Sequence, residues 1–231
     1  MDFTSVYLTP KIGHQQNHST VQDCIVVLEY LRDGRWVREN LDFLCDCPET
    51  NANDYHFVLH VWLAIFHFKQ LRTHFDCIDI WTDGGPHHFK TRYCQWMWSW
   101  LSKNRFDSRR ISHHFFASYH GHSLADAHAA SIKRFIRTEY NMSQLQRFCS
   151  TALAVYWGPE DAAALGRLLQ KCTNTQITVF PHIDRDPTLK PDPQPIVHIK
   201  RQHRFDYENG KCYCSVRSTE TMKKLFDLAL R

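Results

Sequence analysis

"CIDIWTDGGPHHFK", residues 77–90, runs as a strand and then stops at a Gly-Gly-Pro turn. Residues 77–82 are rich in β-branched and aromatic side chains, which reads as a strand. The turn residues that follow end it. Asp83 therefore stands at the lip of a strand, beside glycines that let backbone and ligand approach closely. Aspartate also starts turns unaided, because its carboxylate accepts hydrogen bonds from N–H groups just downstream. The surrounding chain has to decide between a turn former and a ligand.

Upstream of this block, DFTSVYL (2–8) and VQDCIVVLEYL (21–31) read as strands, and "RDGR" at 32–35 turns the chain into a third, WVRENLDFL (36–44). Asp-Gly between apolar runs is a hairpin signal. A helix is expected from Asp54 to Phe75. Its apolar part, FVLHVWLAIFHF (57–68), is too short to span a bilayer, so no membrane contact is expected. Downstream come a helix near 88–103, the strand ISHHFFAS (111–118) and a helix near 124–140. Further helical segments are expected near 143–156 and 159–172.

The order β-β-β-α-β-α-β-α predicts an α/β protein with a mixed five-stranded sheet in residues 1–140, strands 1–3 antiparallel. This is the order of the ribonuclease-H-like fold. Residues 1–180 form the expected core, with 141–180 as a helical extension. "PHIDRDPTLKPDPQP", 181–195, holds five of the nine prolines and reads as a semi-rigid linker. Residues 196–231 are then a small module, a β-hairpin with a last helix at 219–230.

A chain of 231 residues with 43 % hydrophobic content can bury a core. Nine cysteines lack the spacing of a disulfide framework, and no signal peptide is evident. A nuclear or cytoplasmic protein with reduced thiols is expected, not a secreted one. The net charge of +4 is unevenly spread. Residues 1–83 carry six Lys/Arg against twelve Asp/Glu, and residues 84–150 carry ten against three. An acidic third beside a basic middle suits a metal-collecting site next to a polyanion surface.

Three carboxylates carry the candidate chemistry. Asp2 lies on the first strand, Asp83 ends the fourth, and Asp126 opens a helix in "YHGHSLADAHAASIKR". In the expected sheet the first and fourth strands are neighbours, so Asp2 and Asp83 face each other and the helix brings Asp126 to the same edge. Crowded carboxylates resist ionising together. Mg²⁺ or Mn²⁺ relieves that conflict, and two such ions activate a water or a 3′-hydroxyl toward a phosphodiester. On the helix from 124, Ala125, Ala129, Ile132 and Ile136 form an apolar face. Ala130, Lys133 and Arg137 share the stripe of Asp126. Lys90, Arg92, Lys133 and Arg137 are the expected contacts to nucleic acid. On the helix at 88–103, Phe89, Tyr93, Trp96, Met97, Trp100 and Leu101 share one face. Trp98 points the other way, to stack on a partner or to pack under a loop.

The segments "DFTS", "WTDGGPHHFK", "FFASYHG" and "LADAHAASIKR" resemble the catalytic core of DDE-type transposases of eukaryotic DNA transposons, in the ribonuclease-H-like and integrase-like superfamily. The resemblance spans residues 1–140. It implies nuclease and strand-transfer activity with Mg²⁺ or Mn²⁺, DNA as the partner, and Asp2, Asp83 and Asp126 as catalytic metal ligands. His120, Gly121 and His128 match the motif around the third acid without an assigned role. Homo-oligomerisation stays open. Ala127 and Ala130 stand where the family is richer in glycine, and Asp2 lies one residue from the start of the chain. A truncated or domesticated transposase is therefore the alternative, one that binds DNA with weak or absent cleavage. Histidine pairs at 87–88, 113–114 and 120/122 suggest zinc, but no C-x-x-C pair supports it. Adjacent strand histidines also face opposite sides. No G-x-S-x-G or P-loop motif is present.

Overall fold

The computed structural model describes residues 2–8, 19–47, 55–82, 89–116, 123–148, 162–172, 175–180, 183, 193, 196, 198–216 and 222–227. In chain order the elements begin with β1 (Asp2–Leu8), β2 (Ser19–Arg32), β3 (Arg35–Cys47), α1 (Tyr55–Phe68), α2 (Leu71–His74) and β4 (Cys77–Thr82). They continue with α3 (Arg92–Arg105), β5 (Arg110–Phe115), α4 (Leu124–Phe148), α5 (Ala162–Leu169) and β6 (Gln176–Phe180). Last come β7 (Arg204–Glu208), β8 (Lys211–Ser215) and β9 (Lys223–Asp227). The chain is a mixed α/β protein in two compact units, residues 2–52 with 122–183 and residues 53–121 with 184–231.

In the first unit β1, β2 and β3 form the expected antiparallel meander. Its β2–β3 turn is Asp33-Gly34, both with positive φ, 51° and 74°, as a two-residue hairpin of the primed type requires. β6 then pairs in parallel with β3, giving the order β1-β2-β3-β6. Helices α4 and α5 bury apolar faces on this sheet. Ala125 and Ala129 of α4 pack on Ile25, while Ile132 joins Val21, Leu44, Leu165 and Leu169. The apolar face expected for α4 is the one the fold buries. This helix also runs on without a break to Phe148, where two helical segments were expected.

The second unit is built on the order β4-β5-β7-β8-β9, with β4 and β5 parallel and the rest antiparallel. The helix expected over 54–75 is interrupted at Gln70, which takes a left-handed conformation between α1 and α2. Trp62 of α1 meets Trp98 of α3 edge to face at 5.1 Å, and Phe66 meets Phe106 at 5.7 Å. The outward placement expected for Trp98 is corrected here, because its side chain is fully buried. Helix α3 lies between α1 and the sheet, so it buries two faces. The second face carries the polar residues Gln95, Ser99 and Ser102, which a hydrophobic period does not mark.

Two further expectations are corrected. The single five-stranded sheet over 1–140 is divided among the described strands: β1 and β4, expected as neighbours, each stand at the edge of a separate sheet. Each sheet is instead completed from later sequence, by β6 beside β3 and by the β7–β8 hairpin beside β5. The helix expected at 219–230 contains the strand Lys223–Asp227, paired with β8. An open β8 edge offers ladder hydrogen bonds that outweigh a modest helical preference.

Two outcomes follow from this packing. Gly166 of α5 sits so close to β6 that a Cβ there would lie 2.5 Å from Val179 Cγ2. Gly166→Ala should lower stability by about 1 kcal/mol or more, overpacking outweighing the helix propensity that alanine adds. Urea unfolding followed by circular dichroism reads this, and a raised midpoint would mean α5 shifts off β6 without cost. A chain ending at residue 195 loses Phe205 and Tyr207, both fully buried, and bares the β5 edge. It should lose the cooperative unfolding of the second unit. Retained amide protection in β4 and β5 would show that those strands stand without the hairpin.

Candidate functional site

Asp126 is the one predicted acid whose side chain the structure describes. It lies in the first turn of α4, and its Oδ2 accepts from the Ser123 N–H at 2.7 Å and the Ser123 hydroxyl at 2.9 Å. The Asp126 N–H points back at Ser123 Oγ, 3.1 Å away. This reciprocal cap satisfies donors at the helix start and places a negative charge at the positive end of the dipole. Asp2 opens β1 in register with Ile25, the residue on which Ala125 and Ala129 pack. The Asp2 backbone and the first turn of α4 thus belong to the same unit. Asp83 and His120 lie outside the described residues.

The strand end that delivers Asp83 is firmly tied. Thr82, fully buried, shares a 2.8 Å hydrogen bond with His113 Nε2, and its carbonyl accepts from the Phe116 N–H at 3.0 Å. Burial holds the His113 imidazole well below its ordinary pKa, so it is neutral. His114 faces away from it, stacked on Trp81 at 4.5 Å with Asp79 3.5 Å from its Nε2. The two histidines point to opposite faces, as strand geometry requires. Among the described residues no group of three or more His, Cys, Asp or Glu side chains is arranged to hold a metal ion.

Of the four basic residues expected on nucleic acid, Lys90 is turned inward. It is 4 % exposed, donates to the Lys200 carbonyl at 3.0 Å and lies 4.8 Å from the Phe115 ring centre. Burial lowers its pKa. This ammonium ties the loop before α3 to the segment before β7, a correction to its expected role as a surface phosphate contact. Arg92 lies over the Tyr93 ring at 4.9 Å, half-buried. Lys133 is exposed on α4. The side chain of Arg137 lies outside the described residues.

Beneath α4 the fold assembles a cluster that the sequence reading did not single out. Asp23 of β2 and Asp42 of β3 are both fully buried. They sit diagonally on one face, Asp23 opposite Leu44 and Asp42 opposite Ile25. His128 Nε2 donates to Asp42 Oδ2 at 2.7 Å, and the Thr175 hydroxyl donates to the same oxygen. Neither Asp23 oxygen meets an N–H or O–H donor among the described residues, nor does Asp42 Oδ1. A proton between the two carboxyls supplies the missing bond. Burial first, then the charge and hydrogen bond of Asp42, hold the Asp23 carboxyl well above the usual range, while Lys133 pulls weakly the other way. Asp23 is therefore held in its protonated, neutral form. His128, unassigned by its motif, is the tie between helix and sheet. A signal was present: the inward alternation Val21, Asp23, Ile25 places a carboxylate on an apolar face.

A raised folded pKa means that the folded state keeps a proton the unfolded chain has released. Stability then falls as pH rises from about 4, the unfolded value, through the folded pKa, and levels above it. In Asp23→Asn the amide N–H replaces the acid proton and removes this dependence. The variant should match the parent near pH 4 and melt higher near pH 8, by the few degrees that about 1 kcal/mol makes in a chain of this size. Parallel melting curves at all pH values would place the proton elsewhere.

No curated protein and no solved structure matches the chain. A family model described as a domain of unknown function (DUF8701) matches residues 15–165, a span holding Asp23, Asp42, Asp83, Asp126 and His128. The chain belongs to that family.

Proposed function

We propose that this chain follows the ribonuclease-H-like plan of DDE-type transposases and cleaves and joins DNA phosphodiesters at Asp2, Asp83 and Asp126. The order of elements supports the reading best. An antiparallel meander is followed by a helix, and then by parallel strands each leading to a helix. Within that order the acids stand at the start of β1, just past β4 and in the first turn of α4.

Carboxylate oxygens suit Mg²⁺ or Mn²⁺. Such ions, when bound, activate an attacking oxygen and stabilise the leaving one. The chain's own residues hold the ligands. Ser123 orients the Asp126 carboxylate, and His113 fixes Thr82 beside Asp83. Lys133, exposed on the helix of Asp126, offers a cation to the phosphate backbone. A second reading is a transposon-derived protein that binds DNA without cutting it. It is favoured by the use of Asp126 as a cap, a role that needs no metal.

Plasmid nicking and thermal melting with Mn²⁺ separate the two. On the enzyme reading, Mn²⁺ at a hundred times its Kd raises stability by about 2.7 kcal/mol. Asp83→Asn abolishes that gain, and Asp126→Asn abolishes nicking. Salt-sensitive DNA binding without any Mn²⁺ effect would leave the second reading. The absence of both would remove the two together.

A further inference from the structure

The β2–β3 hairpin outruns its sheet. Among the described residues β1 pairs with β2 over Ser19–Ile25, and β6 pairs with β3 over Leu41–Cys45. Between these limits and the turn, pairs from Val27–Asn40 to Arg32–Arg35 continue as a ladder of two strands. Six further residues of strand extend about 20 Å.

This ribbon has two faces. On one, Glu29 and Arg38 form a 2.7 Å ion pair, and nearer the tip Leu31 and Trp36 stand opposite each other. Leu31 is 58 % exposed and Trp36 77 %, the most exposed large hydrophobic residues described. On the other face Tyr30 donates to Glu39 at 2.7 Å, and the last pair of the ladder is Arg32 opposite Arg35. Like charges directly opposite one another repel. Arg32 lies 5.7 Å from the Tyr30 ring centre, yet neither tip arginine makes an ion pair among the described residues. Glu29 and Glu39 are engaged along the ribbon, and Asp33 in the turn pairs with neither arginine.

An anion that bridges Arg32 and Arg35 relieves their repulsion, and on the opposite face of the tip the exposed Trp36 adds a flat apolar surface. A two-stranded ribbon is also an element that the major groove of duplex DNA admits. From this juxtaposition we infer that the β2–β3 ribbon is a DNA-docking arm. Arg32 and Arg35 hold backbone phosphates, and Trp36 with Leu31 lies against the sugars and bases of the groove. A second copy of the chain fits this surface less well. A stable protein interface needs about 800 Å² on each side, some 20–30 residues, whereas the exposed apolar surface here is one cross-strand pair. The inference rests on the DNA reading above, but it assigns the contact to an arm in the acidic third of the chain.

The full-length chain is titrated against a fluorescein-labelled 30-base-pair duplex and the matching single strand over a range of salt. Arg32→Ala, Arg35→Ala and Trp36→Ala are compared with the parent, and Lys103→Ala, exposed on α3, is the charge control. All four positions are exposed, so melting temperatures should be unchanged. For the duplex, each arginine variant should lower the slope of log affinity against log salt by about 0.9. Trp36→Ala should weaken duplex binding about tenfold, within the range for one aromatic contact to a nucleotide. Lys103→Ala should do neither. Duplex binding that survives all three tip variants overturns the arm and leaves the DNA reading intact. Preference for the single strand overturns groove docking. No binding by the parent overturns both inference and reading. A dimer in light scattering that Trp36→Ala dissolves, with DNA binding unaltered, makes the ribbon a contact between copies and overturns the inference too.

Discussion

The Asp42 carboxylate, buried in the middle of β3, is the constraint around which the first unit is arranged. A carboxylate taken out of water is costly unless donors surround it. Here the donors come from three other parts of the chain: the shared proton from Asp23 on β2, the imidazole of His128 on α4, and the Thr175 hydroxyl just before β6. Each bond fixes a different element. The proton joins adjacent strands, His128 sets the rotation of α4 on the sheet, and Thr175 brings β6 to the free side of β3. Apolar packing around Ile25 and Leu44 supplies the driving force, but it is non-directional. The polar cluster supplies the register.

A similar division of labour holds in the second unit. Its core is aromatic, with Trp62, Trp98, Phe66 and Phe106 in edge contacts, while polar ties hold its elements to one another. Tyr207 donates to Gln95 Oε1, and Gln95 donates in turn to the Phe89 carbonyl at 3.0 Å, so β7, α3 and the loop before α3 are linked in one chain of bonds. Ser102 donates to the Arg109 carbonyl at 2.7 Å. Lys90 closes the same loop onto Lys200. Thr82, at the end of β4, and Lys90, before α3, are thus both tied into this network.

This bears on what the acids do. Asp126 already has structural work as the partner of Ser123, so its position alone does not mark a metal ligand. His128 follows it by two residues and is likewise absorbed by the fold, since its role is to meet Asp42. Two of the residues that carry the transposase resemblance therefore have sufficient local reasons to be where they are.

The sequence by itself determined the local structure. Period-two runs and the Asp33-Gly34 turn marked the meander, and the spacing of Ala125, Ala129, Ile132 and Ile136 marked the buried face of α4. These are short-range preferences, readable within one element. Tertiary structure decided which strands close each sheet, because an unpaired edge is satisfied by whatever strand reaches it, and β6 and β9 come from segments read as helical extension and helix. It also decided the burial of Trp98, since a helix covered on two sides hides residues that one hydrophobic period leaves outside, and that of Lys90, which turns inward onto the Lys200 carbonyl. Asp23, Asp42 and His128 are far apart in the chain and each polar when read alone. Only the packing of α4 across β2 and β3 brings them together, and the proton they need is a property of that enclosure, not of any one residue.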